Sequence, residues 1–342
     1  MKNALLVYPH NEKNVFNIGD YIQSIAARQF LPTVDVLLNR EELNSPIQEN
    51  VRLILNGWFM HNPRNWPPSN KISPLFIAFH MNKLAENEML SNEGIQYLKK
   101  HEPIGCRDYY TVSRLQSKGI DAYFSGCLTL TLSQTYKHIP ITNAPIYITD
   151  LNPTSCRNVK FIINCLSVSI FKRSILKQIK KQMAECGVKK AMKTIVALYV
   201  TYRNVISDEV LVNAIYREHE IVDRFSSDNE KFQYADRLLR EYANAKFVIT
   251  SRIHCALPCL SMGTPVAFIT NELLGQIHNC RLDGLVQLFH TIDITEKGII
   301  SNIPKIKKIR LDSFFSNKTD YRLLAGQIET ICKSFIREEK DS

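Results

Sequence analysis

Phe247-Val248-Ile249-Thr250-Ser251-Arg252-Ile253-His254-Cys255-Ala256-Leu257-Pro258 joins a short apolar strand to a helix through a turn carrying a guanidinium and an imidazole. Proline is tolerated in the first helical turn, where its missing N–H has no intrahelical partner to lose. Pro258 therefore predicts a helix starting near Cys255 and leaves Ser251 to His254 in the turn. A turn between the carboxyl end of a strand and a helix N-terminus is where α/β proteins hold anions, because free N–H groups and the helix dipole favour negative charge. Arg252 adds a bidentate grip on carboxylate or phosphate. His254 adds a group that gives or takes a proton near neutral pH.

The same alternation extends in both directions. Leu5–Tyr8, Val34–Leu38, Arg52–Leu55, Leu75–Phe79, Pro103–Cys106 and Ile120–Phe124 read as short buried strands. Helical spacing recurs at Asp20–Phe30, with Asp20 as a plausible cap, and at Asn92–Lys100 and Asp108–Lys118. After a Thr-, Asn- and Pro-rich loop at Ile139–Pro145 come strands at Ile146–Thr149 and Thr194–Val200. Helices follow at Ser169–Glu185, Asp208–Arg217 and Asn229–Ala243, then the quoted segment, a strand at Pro265–Ile269 and a helix at Tyr321–Arg337. Strands alternating with helices predict doubly wound α/β architecture: two Rossmann-like domains, residues 1–140 and 141–342, with parallel sheets facing a shared cleft. Such a cleft suits an enzyme that joins two unlike substrates.

The chain of 342 residues is 45% hydrophobic and 22% charged, which places it among globular proteins rather than disordered ones. Its formal net charge of +10 favours anionic partners without choosing among them. The apolar run after Met1 is short and stops at Pro9, unlike an export signal, and no stretch approaches the ~18 apolar residues of a membrane span. Nine scattered cysteines then read as reduced thiols, and the expected location is cytoplasmic.

Several constellations carry chemistry, each with a plainer reading beside it. In Asn17-Ile18-Gly19-Asp20, Gly19 permits close backbone approach and Asp20 is a candidate general base or sugar-hydroxyl acceptor; alternatively the segment only caps a helix. In Gly105-Cys106-Arg107-Asp108, Arg107 reaches an anion or merely pairs with Asp108 to hold the turn. His80 follows one strand and Asn56-Gly57-Trp58 another, so an imidazole, an amide and an indole stand at strand ends, where Trp58 stacks on a sugar ring or simply packs. His254, Cys255, Cys259, His278 and Cys280 lack zinc-ligand spacing, and no phosphate-loop or dinucleotide glycine pattern occurs, so neither metal nor cofactor is expected. The run Phe171–Met183 holds five basic residues and no acid over an apolar stripe; it is a solvated face or a helix that docks on an anionic membrane.

Together these segments resemble the polysaccharide pyruvyl transferase family. The resemblance rests on Asn17–Asp20, Gly105–Asp108 with Gly119-Ile120, Ser125–Leu130, Tyr242–His254 and Gly263-Thr264-Pro265. It implies a glycosyltransferase-B-like fold and transfer of the enolpyruvyl unit of phosphoenolpyruvate onto two hydroxyls of a sugar, giving a pyruvate ketal and phosphate. It assigns Arg252 and His254 to the donor, with Arg107 as second anion clamp and Ser251 beside them. On this reading His254 is the acid, and Asp20 or His80 assists hydroxyl deprotonation. Asn17, Gly19, Asn56 and Trp58 face the acceptor on the N-terminal side. The implied acceptor is a sugar on undecaprenyl diphosphate at the cytoplasmic leaflet, with transient contact to an anionic membrane surface. A sugar-nucleotide-dependent glycosyltransferase of the same fold is the alternative. A basic RNA-binding protein is a weaker rival, since no aromatic-plus-basic RNA motif is present and no nucleic-acid partner is expected.

Overall fold

The computed structural model describes residues 1–154, 158–275 and 279–337. The strands run β1 (Lys2–Val7), β2 (Val15–Asn17), β3 (Val36–Asn39), β4 (Val51–Phe59), β5 (Ile72–Met81), β6 (Ile104–Cys106) and β7 (Ala122–Phe124). They continue as β8 (Ile146–Thr149), β9 (Ile215–Arg217), β10 (Glu220–Val222), β11 (Phe247–Thr250), β12 (Val266–Asn271), β13 (His290–Thr295) and β14 (Gly298–Ser301). One six-stranded sheet has the order β3-β1-β4-β5-β6-β7, and all its pairs are parallel. The other has the order β14-β13-β12-β11-β8-β9 and is parallel except where β14 runs against β13. Both are Rossmann-like α/β halves in a glycosyltransferase-B-like pair.

Strand order locates the functional face. In the first sheet the chain leaves β1 toward β3, then returns to the opposite side at β4. In the second it leaves β8 toward β9 and returns at β11. Ligands of open α/β sheets bind where the winding reverses, beyond the strand carboxyl ends. Asn17 to Asp20 and Trp58 belong to the first reversal; Asp150, Ser251 and Arg252 belong to the second.

The halves are joined closely. β2 and β10 form an antiparallel ribbon between them, with Glu220 opposite Asn17 and Ile221 opposite Phe16. One apolar core contains Leu6 and Ile22 from the first half together with Val248, Leu257 and Phe268 from the second. The helix Tyr321–Arg337 buries Ile328 and Cys332 in that same core, and Arg52 donates to the Ile336 carbonyl at 2.9 Å, so this helix packs on the first half. A separate core lies on the other side of the second sheet.

Several sequence expectations need correction. Thr194–Val200 is not a strand; it lies within a helix, Met192–Tyr202, whose Ile195, Tyr199 and Tyr202 are buried. Its β-branched run is apolar on nearly every side, a pattern shared by buried strands and buried helices, and tertiary packing decides. The helix at Asp208 ends at Asn213, and Ile215–Arg217 joins the sheet edge as β9. The basic helix Ser169–Glu185 is two helices, Val159–Phe171 and Arg173–Glu185, broken at Lys172. In the second of these Leu176, Ile179 and Met183 are buried, and Lys177, Lys180 and Lys181 face solvent. The first helix spans Ile18–Arg28, and its cap is Asn17 rather than Asp20: the Asn17 side chain accepts from the Gly19 N–H at 3.0 Å. The helix after β11 spans Ile253–Met262, two residues earlier than Pro258 suggested. Pro258 sits in its interior, where the bond it cannot make is to the His254 carbonyl one turn back.

Candidate active site

A cleft of about 330 Å³ opens between the two reversals. Of the residues singled out in the sequence, Asn17, Asp20, Trp58, His80, Arg107, Ser251, Arg252 and His254 line it. Gly19 and Asn56 do not. Gly19 packs beneath: a Cβ there would stand 3.0 Å from the Cβ of His254, so glycine lets the two helix N-termini meet. Asn56 is buried and donates to the Gln23 carbonyl at 3.3 Å, which makes it part of the support. His278 lies outside the described residues.

Arg252 is the residue before its helix, and the helix has no side-chain cap, so its first N–H groups remain available to an anion. The guanidinium is oriented by two carboxylates: Nε donates to Asp150 Oδ2 and Nη2 to Glu220 Oε1, each at 2.8 Å. Asp150 is itself held by the winding. Its carbonyl accepts from Ser251 Oγ at 2.5 Å, its carboxylate accepts from the His219 N–H at 2.9 Å, and its backbone sits at φ +52°. A non-glycine residue in the left-handed region is a strained conformation of the kind found at ligand sites.

Arg107 is different. It is 2% exposed, yet among the described residues its guanidinium has no carboxylate in ion-pair contact. Its Nη1 lies 3.3 Å from His254 Nε2 and 3.5 Å from Gln23 Oε1, and its Nε has no hydrogen-bond partner. Arg281 stands on the cleft with Arg40, Arg107 and Arg252; desolvation and then the charges of Arg107 and Arg252 lower its pKa. Isolated buried cations are costly. Of the arginines on the cleft, Arg107 alone is both buried and without a carboxylate partner among the described residues; Arg252 is paired with Asp150 and Glu220, and Arg281 is exposed.

The imidazoles are tuned separately. His254 is buried, and burial first, then Arg107 and His219, push it well below the usual histidine range. It is neutral, and the donor hydrogen on Arg107 assigns its Nε2 as acceptor and its Nδ1 as the protonated nitrogen. His80, 2% exposed, stands at the carboxyl end of β5 with Nδ1 2.6 Å from Asp108 Oδ2. Burial lowers its pKa against the pull of Asp108. Burial would raise the Asp108 carboxyl, but His80 and Arg107 hold it below the ordinary value. The carboxylate therefore takes the Nδ1 hydrogen and leaves the His80 Nε2 lone pair free. Asp108 also caps the helix Tyr109–Gln116, accepting from the Thr111 N–H at 2.9 Å. Asp20 is raised by burial against the opposing charges of Arg40 and Arg107; Arg40 lies 3.5 Å from it, and Gln23 donates to it at 3.1 Å.

Sequence reasoning missed Arg40, His61, Lys83, His219 and Arg281 on the cleft wall, and Asp150 and Glu220 behind Arg252. Asp150 carried a readable signal, since it directly follows an apolar strand, as Ser251 does. Arg40 spreads over the Trp58 ring, 5.0 Å from its centroid, and the His61 ring lies 4.4 Å from the same indole. Trp58 is thus already stacked on protein groups.

The buried imidazoles set a pH dependence. Below about pH 6.5 the unfolded chain protonates these histidines and the folded chain does not. Stability should therefore fall with acidification, by up to about 1.4 kcal/mol per pH unit for each neutral imidazole, until its lowered folded pKa is reached. Melting temperatures across this range should show a shallower decline for His254→Gln than for the unsubstituted protein. Equal slopes would mean that His254 charges normally in the fold.

The polysaccharide pyruvyl transferase family model matches residues 17–272 of the 342-residue chain, so the chain belongs to that family. The match takes in both winding reversals and the Ser251-Arg252-Ile253-His254 turn. No curated protein matches the chain. The family makes this an enzyme of polysaccharide biosynthesis, a polysaccharide pyruvyltransferase in general terms.

Proposed function

We propose that the cleft binds phosphoenolpyruvate and transfers its enolpyruvyl unit to two hydroxyls of a sugar, forming a pyruvate ketal. The observation carrying this reading is Arg107: a buried guanidinium with no ion-pair partner among the described residues, touching His254 and facing Arg252 and Arg281. A donor with a carboxylate and a phosphate close together supplies the negative charge that Arg107 lacks and meets the forks of Arg252 and Arg281 on the same cleft.

The same charges govern the acid. His254 is neutral in the free protein because it is buried and because cations surround it. The bound donor offsets those cations and raises the imidazole pKa, so His254 becomes the acid only when its substrate is present. It then delivers a proton to the methylene carbon, which becomes a methyl group and leaves the central carbon electrophilic. The first hydroxyl attacks that carbon as His80 Nε2 takes its proton, with Asp108 holding the imidazole in the required tautomer. The C–O bond to phosphate breaks, and the second hydroxyl closes the ketal. One proton enters the methyl group, two leave the hydroxyls, and the remaining one departs with phosphate as hydrogenphosphate. On this reading Asp20 and Trp58, on the first reversal, meet the acceptor, for which a lipid-diphosphate-linked sugar is the proposed form.

The test is phosphate release from phosphoenolpyruvate in the presence of candidate galactosides, with the product mass determined, run beside a nucleotide-sugar arm. Arg252→Lys keeps the charge but loses the planar fork held by Asp150 and Glu220. Its KM for phosphoenolpyruvate should rise by about tenfold or more, as for a lost charge-assisted contact. Glycosyl transfer without phosphate release would instead make the protein a sugar-nucleotide glycosyltransferase.

A further inference from the structure

The helix Val159–Phe171 turns its apolar side outward. Val159, Ile162, Ile163, Leu166, Ile170 and Phe171 are between 51% and 80% exposed. Their spacing of three, four and seven residues makes one continuous stripe along the helix. The opposite side holds the helix to the second domain: Val168 is buried, Phe161 and Cys165 pack on the core, and Asn164 Oδ1 accepts from Arg203 Nη2 at 3.0 Å. A stripe of this kind on a protein surface marks an interaction site.

Its surroundings say what covers it. Residues 158–184 hold Lys160, Lys172, Arg173, Lys177, Lys180 and Lys181 and no acid; Lys172 and Lys181 reach the acids beyond this run, Asp208 at 3.4 Å and Glu185 at 3.7 Å. All six are exposed, and the following helix presents Lys177, Lys180 and Lys181 because Leu176, Ile179 and Met183 point inward. A second copy of the chain meeting this face across a twofold axis would bring two such cationic clusters together, in a protein already at +10. An anionic lipid surface satisfies both parts, taking the apolar stripe into its acyl boundary and the cations among its headgroups.

We infer that the protein docks reversibly on anionic membranes through the Val159–Phe171 stripe, with the basic residues of Lys172–Lys181 supplying the electrostatic attraction. The stripe, not the basic helix alone, is the inserting element. Seven residues, about eight Cα–Cα steps, separate Asp150, which orients Arg252 in the cleft, from Asn158 at the head of the docking helix. Chain geometry therefore keeps the helix head within about 29 Å of that end of the cleft, a position suited to an acceptor anchored in the same bilayer. The docking itself requires no donor chemistry, so it stands or falls apart from the pyruvyl-transfer reading.

The test is co-sedimentation of the full chain with phosphatidylcholine vesicles with and without phosphatidylglycerol, over a salt series. The protein should partition onto the anionic vesicles and come off as salt rises, since the Debye length contracts to ~3 Å at 1 M. Ile163→Ser/Leu166→Ser/Ile170→Ser and Lys177→Glu/Lys180→Glu/Lys181→Glu should each cut the partition coefficient by at least about tenfold. The serine variant should melt no lower than the parent, because the replaced side chains are exposed. Wild-type protein that ignores anionic vesicles, or a serine variant that binds them as the parent does, would overturn the inference. A dimer in sedimentation velocity that the serine variant disperses, with no vesicle binding, would overturn it in favour of a second copy.

Discussion

Arg107→Met should yield a protein at least as stable as the parent and nearly inert. The guanidinium is 2% exposed and finds only neutral contacts, so folding carries its desolvation without an ion pair in return. Exchanging buried charge for apolar volume is often neutral or stabilising, by up to about 1–4 kcal/mol. Activity should move the other way. A preorganised cation in a dry site meets charge that develops in the transition state, and losing one such group costs on the order of 10²–10³-fold in kcat. His254 should also titrate closer to its ordinary range, because Arg107 is the largest charge holding it down. Thermal melts with and without phosphoenolpyruvate, phosphate release, and an NMR pH titration of the His254 ring read the three effects. A variant that melts lower and keeps its rate would make Arg107 structural.

Asp108→Asn separates two duties of one side chain. Asparagine caps a helix about as well as aspartate, so the helix Tyr109–Gln116 should hold and the melting temperature should barely change. The amide no longer enforces the His80 tautomer with a free Nε2. General base catalysis then fails, and kcat should fall by ~10²–10⁴ with little change in KM for the donor. The residual activity should extend to lower pH: Asp108 raises the His80 pKa, so without it His80 stays neutral further into acid. A stable variant with unchanged kcat would remove His80 from the chemistry.

Much of the fold was written locally. At the second end of the cleft an apolar run, a turn and a helix follow one another directly from Phe247 to Met262. Ser251, Arg252, His254 and Arg107 could be read because each sits at a strand's carboxyl end. Their partners could not. Asp150 meets Arg252 across 102 residues of chain, and His80 meets Asp108 across 28. Asp108 looked like a helix cap, which it also is; its contact with an imidazole depends on β5 and β6 lying side by side. Arg40 directly follows the strand Val36–Asn39, whose Asn39 side chain caps the next turn, so it carried a strand-end signal that went unread; Arg281 and His219 stand in segments with no periodicity to mark them. Pro258 misled in the other direction, because a rule about where proline is cheapest does not forbid the dearer place. The outward stripe on Val159–Phe171 was hidden as well, since a string of apolar residues looks alike whether it meets a core or a bilayer.

The β2–β10 ribbon bears on how the cleft works. Asn17 and Glu220 stand opposite each other in it, one capping the first helix and the other holding Arg252. Asp223 extends the junction, its N–H reaching the Asn14 carbonyl at 2.7 Å and its carboxylate meeting Lys231 at the same distance. Swinging the halves apart would unzip this ribbon and pull Leu257 and Phe268 out of the core they share with Ile22. A jaw that must break its own teeth to open is not a jaw. Access to the cleft is then confined to side chains and rim loops moving aside, and the distance between the two winding reversals is fixed when the chain folds.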